Sequence, residues 1–346
     1  MDVLDSEENQ QADFANEPKT GGPKKGAAGN KLLQIITSLG VVWTLMVLVS
    51  LLTGRLLMVY YGMSTPDILA NVSSFLTDFQ GKLQPFRLAQ MANTSIMFGG
   101  ASLLMSYLTT GKIFGFFEFN SGAKKSSALL IPVIFITVLP VVAFIAFYIG
   151  QIDWPEALDE LAKMEAQIML LQEGLIGVPK FGALAGNFLM IAIFPAIFEE
   201  FFFRGLLQKL LIQWRFAQKT GEVAEQQSVI KNGVHHSGII IAGIIFGAFH
   251  FQVANFIPIT LLGILMGYIY WWTKNLWYPI LAHLFFNGIQ AISFFVYSTL
   301  PQFKELSEIE TLPILPTILS LVLCAGAIYL FYQLNKSTVH GIAELD

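Results

Sequence analysis

The stretch LMIAIFPAIFEEFFFRGLL, residues 189–207, decides the fold. An apolar run leads into two adjacent glutamates, and further apolar residues follow them. A helix that crosses a bilayer needs about 20 largely apolar residues, and this segment, continued to Trp214, supplies them. A charge held in hydrocarbon costs several kcal/mol unless it pairs or lines a wet cavity. Arg204 stands one helical turn after Glu200, so those two can pair. Glu199 has no local cation, and its presence needs another reason. Pro195, one turn earlier, predicts a local kink.

The rest of the chain obeys the same solvent. Of its 346 residues, 54% are hydrophobic and 13% charged, about half the charge of a soluble domain. Apolar runs at 33–53, 91–109, 127–150, 182–203, 238–253, 256–273, 277–298 and 312–334 read as spanning helices. The expected fold is therefore an all-α, polytopic bundle of about eight spans. Four regions follow: a tail at 1–31, expected to be disordered and cytosolic and to carry no signal peptide; N-terminal helices at 32–180; a core at 181–298; and a last helix with its tail at 299–346. The net charge of −4 gives no reason to expect a nucleic-acid partner. One cysteine, Cys324, excludes a disulfide framework within the chain.

Orientation follows from the basic residues. With the N-terminus inside, 14 of the 20 Lys and Arg fall on the cytoplasmic side, as the positive-inside rule expects. Both termini are then cytoplasmic. Trp214, Trp271, Trp272, Trp277 and Tyr278 fall at the same boundary and read as an aromatic belt. Segments 66–80 and 156–174 are amphipathic and read as helices lying in the outer interface, with a gating role as the alternative. Gly243 with Gly247, and Gly263 with Gly267, form small-xxx-small pairs that predict close helix packing.

Polar residues also interrupt two later spans. His250 closes IIFGAFH, and His283 and Asn287 share one helix face in ILAHLFFNG. Each has a bland reading, as a packing residue or an interhelical hydrogen bond. Together with Glu199 they bring a base, imidazoles and an amide donor into the membrane. A carboxylate beside an imidazole can deprotonate water. A histidine and an asparagine one turn apart can donate to one developing oxyanion. No H-E-x-x-H or G-x-S-x-G occurs.

The segments EEFFFR (199–204), FGAFH (246–250) and HLFFN (283–287) resemble the E-E-x-x-x-R, F-x-x-x-H and H-x-x-x-N motifs of the CPBP family of intramembrane endopeptidases. That group holds type 2 CAAX prenyl proteases and bacteriocin-processing or immunity proteins. The resemblance covers about 182–298 and implies a cavity open toward the cytoplasmic side. It implies Glu199 as general base, His250 as its partner in activating water, and His283 with Asn287 as the oxyanion hole. Glu200 and Arg204 would support the site. No cofactor is expected to be required; a His₂Glu zinc site of Glu199, His250 and His283 stays open as an alternative. Expected partners are membrane lipids and a membrane-associated peptide or protein substrate, CAAX-type lipidated or not. Two other functions stay open: a proton-coupled transporter using Glu199, Glu200 and His250 as a relay, and a non-catalytic immunity protein.

Overall fold

The computed structural model describes residues 27–79, 82–119, 122–152, 155–176, 181–221, 229–230, 233–299 and 313–340. Helices α1 (Ala27–Tyr61), α2 (Thr65–Ala70), α3 (Val72–Asp78) and α4 (84–110) come first. They are followed by α5 (Leu130–Gly150), α6 (Glu156–Ile176), α7 (181–220) and α8 (Val234–Ala248). The last are α9 (Phe256–Thr273), α10 (Trp277–Thr299) and α11 (Ile314–His340). No strand occurs among the described residues.

Five helical stretches are long and apolar enough to cross a membrane: Ala28–Tyr61, Lys125–Gly150, Gly182–Thr220, Phe256–Thr273 and Ile314–Thr338. The other three expected spans are also helical. Of these, α8 has 15 residues, short for a crossing on its own. The helix expected at 182–203 runs on to Thr220 because nothing breaks it before Gly221, whose φ of +74° turns the chain out. Most of the tail expected at 1–31 lies outside the described residues, and α1 has already begun at Ala27.

The bundle packs around α7. Phe202, Phe203, Leu206, Leu207 and Leu210 are all buried at its centre. The glycine pairs act as expected. A Cβ on Gly243 would lie 2.9 Å from the backbone nitrogen of Ile264, and one on Gly263 would lie 3.2 Å from Gly243 Cα. Backbones of α8 and α9 therefore approach directly, which only small residues allow.

The amphipathic segments differ from expectation. Ile68, Phe75, Leu171 and Leu175 are buried against one another and against Leu57 and Tyr61 of α1. The apolar faces of α2 and α3 and the end of α6 are turned onto protein, whereas Leu161, Met164, Met169 and Leu170 of α6 stay exposed. Part of the aromatic belt is likewise internal: Trp271 and Tyr278 are buried, whereas Trp277 is exposed.

Candidate active site

Two π-helical stretches, Leu189–Ile193 and Phe201–Leu207, flank the seven α-helical residues that carry Glu199 and Glu200. π-Turns recur at functional sites because they re-aim side chains within a continuous helix. Pro195 accounts for one consequence. It stands four residues after Ile191 and has no N–H to offer that carbonyl. Asn287 Nδ2 of α10 donates to Ile191 O instead, at 2.9 Å. The kink expected from the proline is thus absorbed by the π-turn before it and fastened by the asparagine.

Glu200 and Arg204 pair as predicted. Arg204 Nη1 donates to Glu200 Oε1 at 2.7 Å, and both side chains are fully enclosed. Arg204 Nη2 donates to Gly263 O at 2.8 Å, and Gln208 Nε2 to Gly267 O at 3.1 Å. Residues 200, 204 and 208 line one face of α7, so this row staples α7 to α9 through carbonyls that glycine leaves open to approach. The same Glu200 Oε1 accepts from His283 Nδ1 at 2.9 Å.

His250 lies in the turn after α8, and its Nδ1 donates to Phe246 O at 2.8 Å. A carbonyl only accepts, so His250 carries its proton on Nδ1 and Nε2 keeps its lone pair in the neutral ring. Phe246 was not among the residues singled out by sequence. Its ring centroid lies 4.6 Å from the Arg204 guanidinium carbon, 4.7 Å from the His250 ring and 5.9 Å from the His283 ring. The phenylalanine of F-x-x-x-H is therefore the wall that both imidazoles and the arginine share. Its spacing of four from His250 was the available signal.

Glu199, His250, His283 and Asn287 all line one cavity of about 470 Å³, with Pro195 and Ile191 beside them. The remaining wall comes from α1, α2, α4 and α6, including Thr53, Asn93 and Leu171. Glu199 Oε2 is buried there with no hydrogen-bond partner. Glu200 and Arg204 stand behind this wall. The helix before His250, α8, begins at Val234, four residues before the expected span, and ends at Ala248. Among the described residues no three His, Cys, Asp or Glu are grouped to hold a metal ion. The steps below are written without a metal.

Residues 181–289 match the family model described as Rce1-like, "Type II CAAX prenyl endopeptidase Rce1-like". The match supports membership of the CPBP family for this part of the chain. At family level this is the domain of an intramembrane endopeptidase, and the protein is an integral membrane protein. No curated protein and no solved structure gives a significant match. The CPBP domain includes all three motifs, whereas much of the cavity wall comes from α1, α2, α4 and α6, outside the matched residues.

The cavity has a defined place along the bundle. The cavity is lined by residues 50–57 near the end of α1 and residues 190–199 in the first half of α7. Its α1 lining therefore lies in the half of that helix remote from Ala27. The end of α11 is also remote from the cavity, since Ser127 Oγ donates to Asn335 Oδ1 at 3.4 Å beside the start of α5.

Proposed function

We propose that this protein hydrolyses a peptide bond of a membrane-associated substrate by direct attack of water, without a covalent intermediate. One observation carries the reading: a carboxylate, two imidazoles and a carboxamide from two helices and the turn after α8 line a single cavity. Glu199 takes the proton of the attacking water, and its unpartnered Oε2 is free to do so. His250, with Nδ1 tied to Phe246 O, accepts from that water at Nε2 and orients it. The carbonyl oxygen becomes negative as water adds. Asn287 spends one amide hydrogen on Ile191 O and keeps the other for this oxyanion. His283, its Nδ1 held by Glu200 Oε1, donates to the same oxyanion from Nε2 when the ring carries both protons. The amine then leaves with the proton held by Glu199.

The substrate class we favour is a C-terminal peptide carrying a lipidated cysteine, in keeping with the family's description. The lipid would stay in the bilayer while the peptide enters the cavity. The test is a cleavage assay with purified protein in detergent, on farnesylated and unmodified C-terminal peptides, with and without chelator. Cleavage by the native chain and none by Glu199→Gln or His250→Ala is the expected result. Full turnover by Glu199→Gln ends the general-base assignment, and preference for unmodified peptides ends the lipid assignment. Loss of activity in chelator, restored by zinc, would return the metal to the mechanism. Ion flux in proteoliposomes without cleavage would favour a carrier.

A further inference from the structure

Glu165, on α6, is a carboxylate that the mechanism above does not use. It is 6% exposed, in a helix that sequence reading assigned to the membrane interface. Its Oε2 accepts from the backbone N–H of Val253 at 2.8 Å and of Ala254 at 3.4 Å, and its Oε1 accepts from Asn255 Nδ2 at 3.3 Å. No cation pairs with it among the described residues. These donors belong to the turn that joins His250 to α9. Within that turn no backbone carbonyl accepts from Val253 or Ala254, so Glu165 satisfies two N–H groups that would otherwise be orphaned.

The same turn holds Phe251 at φ +52°. A bulky residue persists in that region only where its surroundings over-determine the backbone. Immediately before it, His250 is tied to Phe246 O, and immediately after it, Glu165 takes hold. The face of α6 that carries Glu165 also carries Ile168, Leu171 and Leu175, which line the cavity. Residues at this spacing share one side of a helix. One helix face therefore roofs the cavity and grips the turn that presents His250.

We propose that Glu165 is a positioning residue for His250, acting through the backbone of residues 253–255. It deepens the peptidase reading and rests on it for the role of His250. A carboxylate fits because it alone offers acceptors to three donors at once. A glutamine keeps one oxygen and brings an NH₂ group toward further donors.

The experiment compares the full-length protein in detergent with Glu165→Ala and Glu165→Gln by three readouts. Amide hydrogen exchange over residues 249–257 is expected to quicken by about tenfold in Glu165→Ala, because local opening sets that rate. Carbethoxylation of His250, followed on its own peptide by mass spectrometry, is expected to change by at least about threefold as its turn loosens. In cleavage, kcat is expected to fall by about 10- to 100-fold with KM nearly unchanged, since misplacing a catalytic group by about 1 Å costs that much. Glu165→Gln should recover part of kcat through its remaining oxygen. Unchanged exchange and carbethoxylation overturn the proposal, as does unchanged kcat. A loss shared by kcat and KM, with no recovery in Glu165→Gln, assigns a merely structural role and overturns it too. If the native chain cleaves no peptide, the peptidase reading fails by itself, and the first two readouts still decide whether Glu165 holds His250.

Discussion

His283 Nδ1 donates to Oε1 of Glu200 at 2.9 Å, and that same oxygen is the one that Arg204 grips. An arginine and a histidine thus converge on Oε1 of Glu200, whose Oε2, like Oε2 of Glu199, has no hydrogen-bond partner, and no cation pairs with Glu199 among the described residues. Adjacent residues of one type are given opposite environments, and opposite consequences follow. Glu200→Gln leaves Arg204 enclosed without a counter-charge, which costs about 3–5 kcal/mol, and frees His283 to turn. Glu199→Gln removes no such pair. We expect Glu200→Gln to lower the midpoint of thermal unfolding by several degrees and the activity with it. Glu199→Gln should abolish cleavage at an unchanged or higher midpoint. Equal thermal loss in both would mean that the two carboxylates share one structural role.

The bond from Asn287 to Ile191 O depends on what Pro195 lacks. Pro195→Ala returns an N–H four residues after Ile191, and that N–H competes with Asn287 for the same carbonyl. Removing a helix-interior proline stabilises a helix by up to about 3 kcal/mol. The variant should therefore be at least as stable as the native chain, yet about tenfold slower, because a displaced oxyanion donor loses part of a contribution worth roughly 10²–10³ in kcat. Unfolding midpoints and kcat measured on the same preparation check this. Native turnover would show that Asn287 needs no anchor.

Much of the site was legible in sequence because hydrocarbon is an unforgiving solvent. Glu199, His250, His283 and Asn287 stood out against their apolar neighbours, and all four line the cavity. The Glu200–Arg204 pair followed from a spacing of four. What stayed hidden were relationships between distant segments. Glu165 resembled any acidic residue on the polar face of an amphipathic helix, and only the fold brings it to residues 253–255. Phe246 looked like one more apolar residue of α8. The apolar faces of α2, α3 and α6 fit a membrane surface or a protein surface equally well, and periodicity alone does not distinguish the two. Orientation relative to a bilayer rests on the charge count and on the motif resemblance, and the fold by itself carries no mark of either side.

That orientation can be measured directly. Counting basic residues puts the start of α1 inside, which sends the cavity end, with α2 and α3, away from the cytoplasm. Cys324 is the single cysteine of the sequence, so a Cys324→Ala background is silent to thiol reagents. Ser73→Cys on α3 and Lys112→Cys beyond α4 then mark the two ends at exposed positions. A membrane-impermeant maleimide applied to intact cells should label Ser73→Cys and spare Lys112→Cys. The reverse pattern would put the cavity on the cytoplasmic side and overturn the charge-based orientation.

A last prediction concerns Lys274, just beyond α9. Its ammonium sits 3.2 Å from the centroid of Trp271, and its backbone has φ +51°. Burial pushes its amine down from 10.5 to about 7, against the pull of Glu118 and with a smaller push from Lys209. In the unfolded chain the amine titrates near 10.4. Between these values the unfolded state binds more protons than the folded one, so stability rises with pH across that window. Below about pH 7 the penalty for burying the charge is fully present. Lys274→Met keeps the backbone strain and removes the titration. From pH 7 to 9 we expect the native chain to gain on the order of 2 kcal/mol relative to Lys274→Met, with the two profiles parallel below pH 6. Unfolding midpoints in detergent at four pH values check this, and identical slopes throughout would show that the amine is solvated in the folded protein. Lys274→Gly should add relief of about 1 kcal/mol at every pH, because glycine adopts this left-handed position without strain.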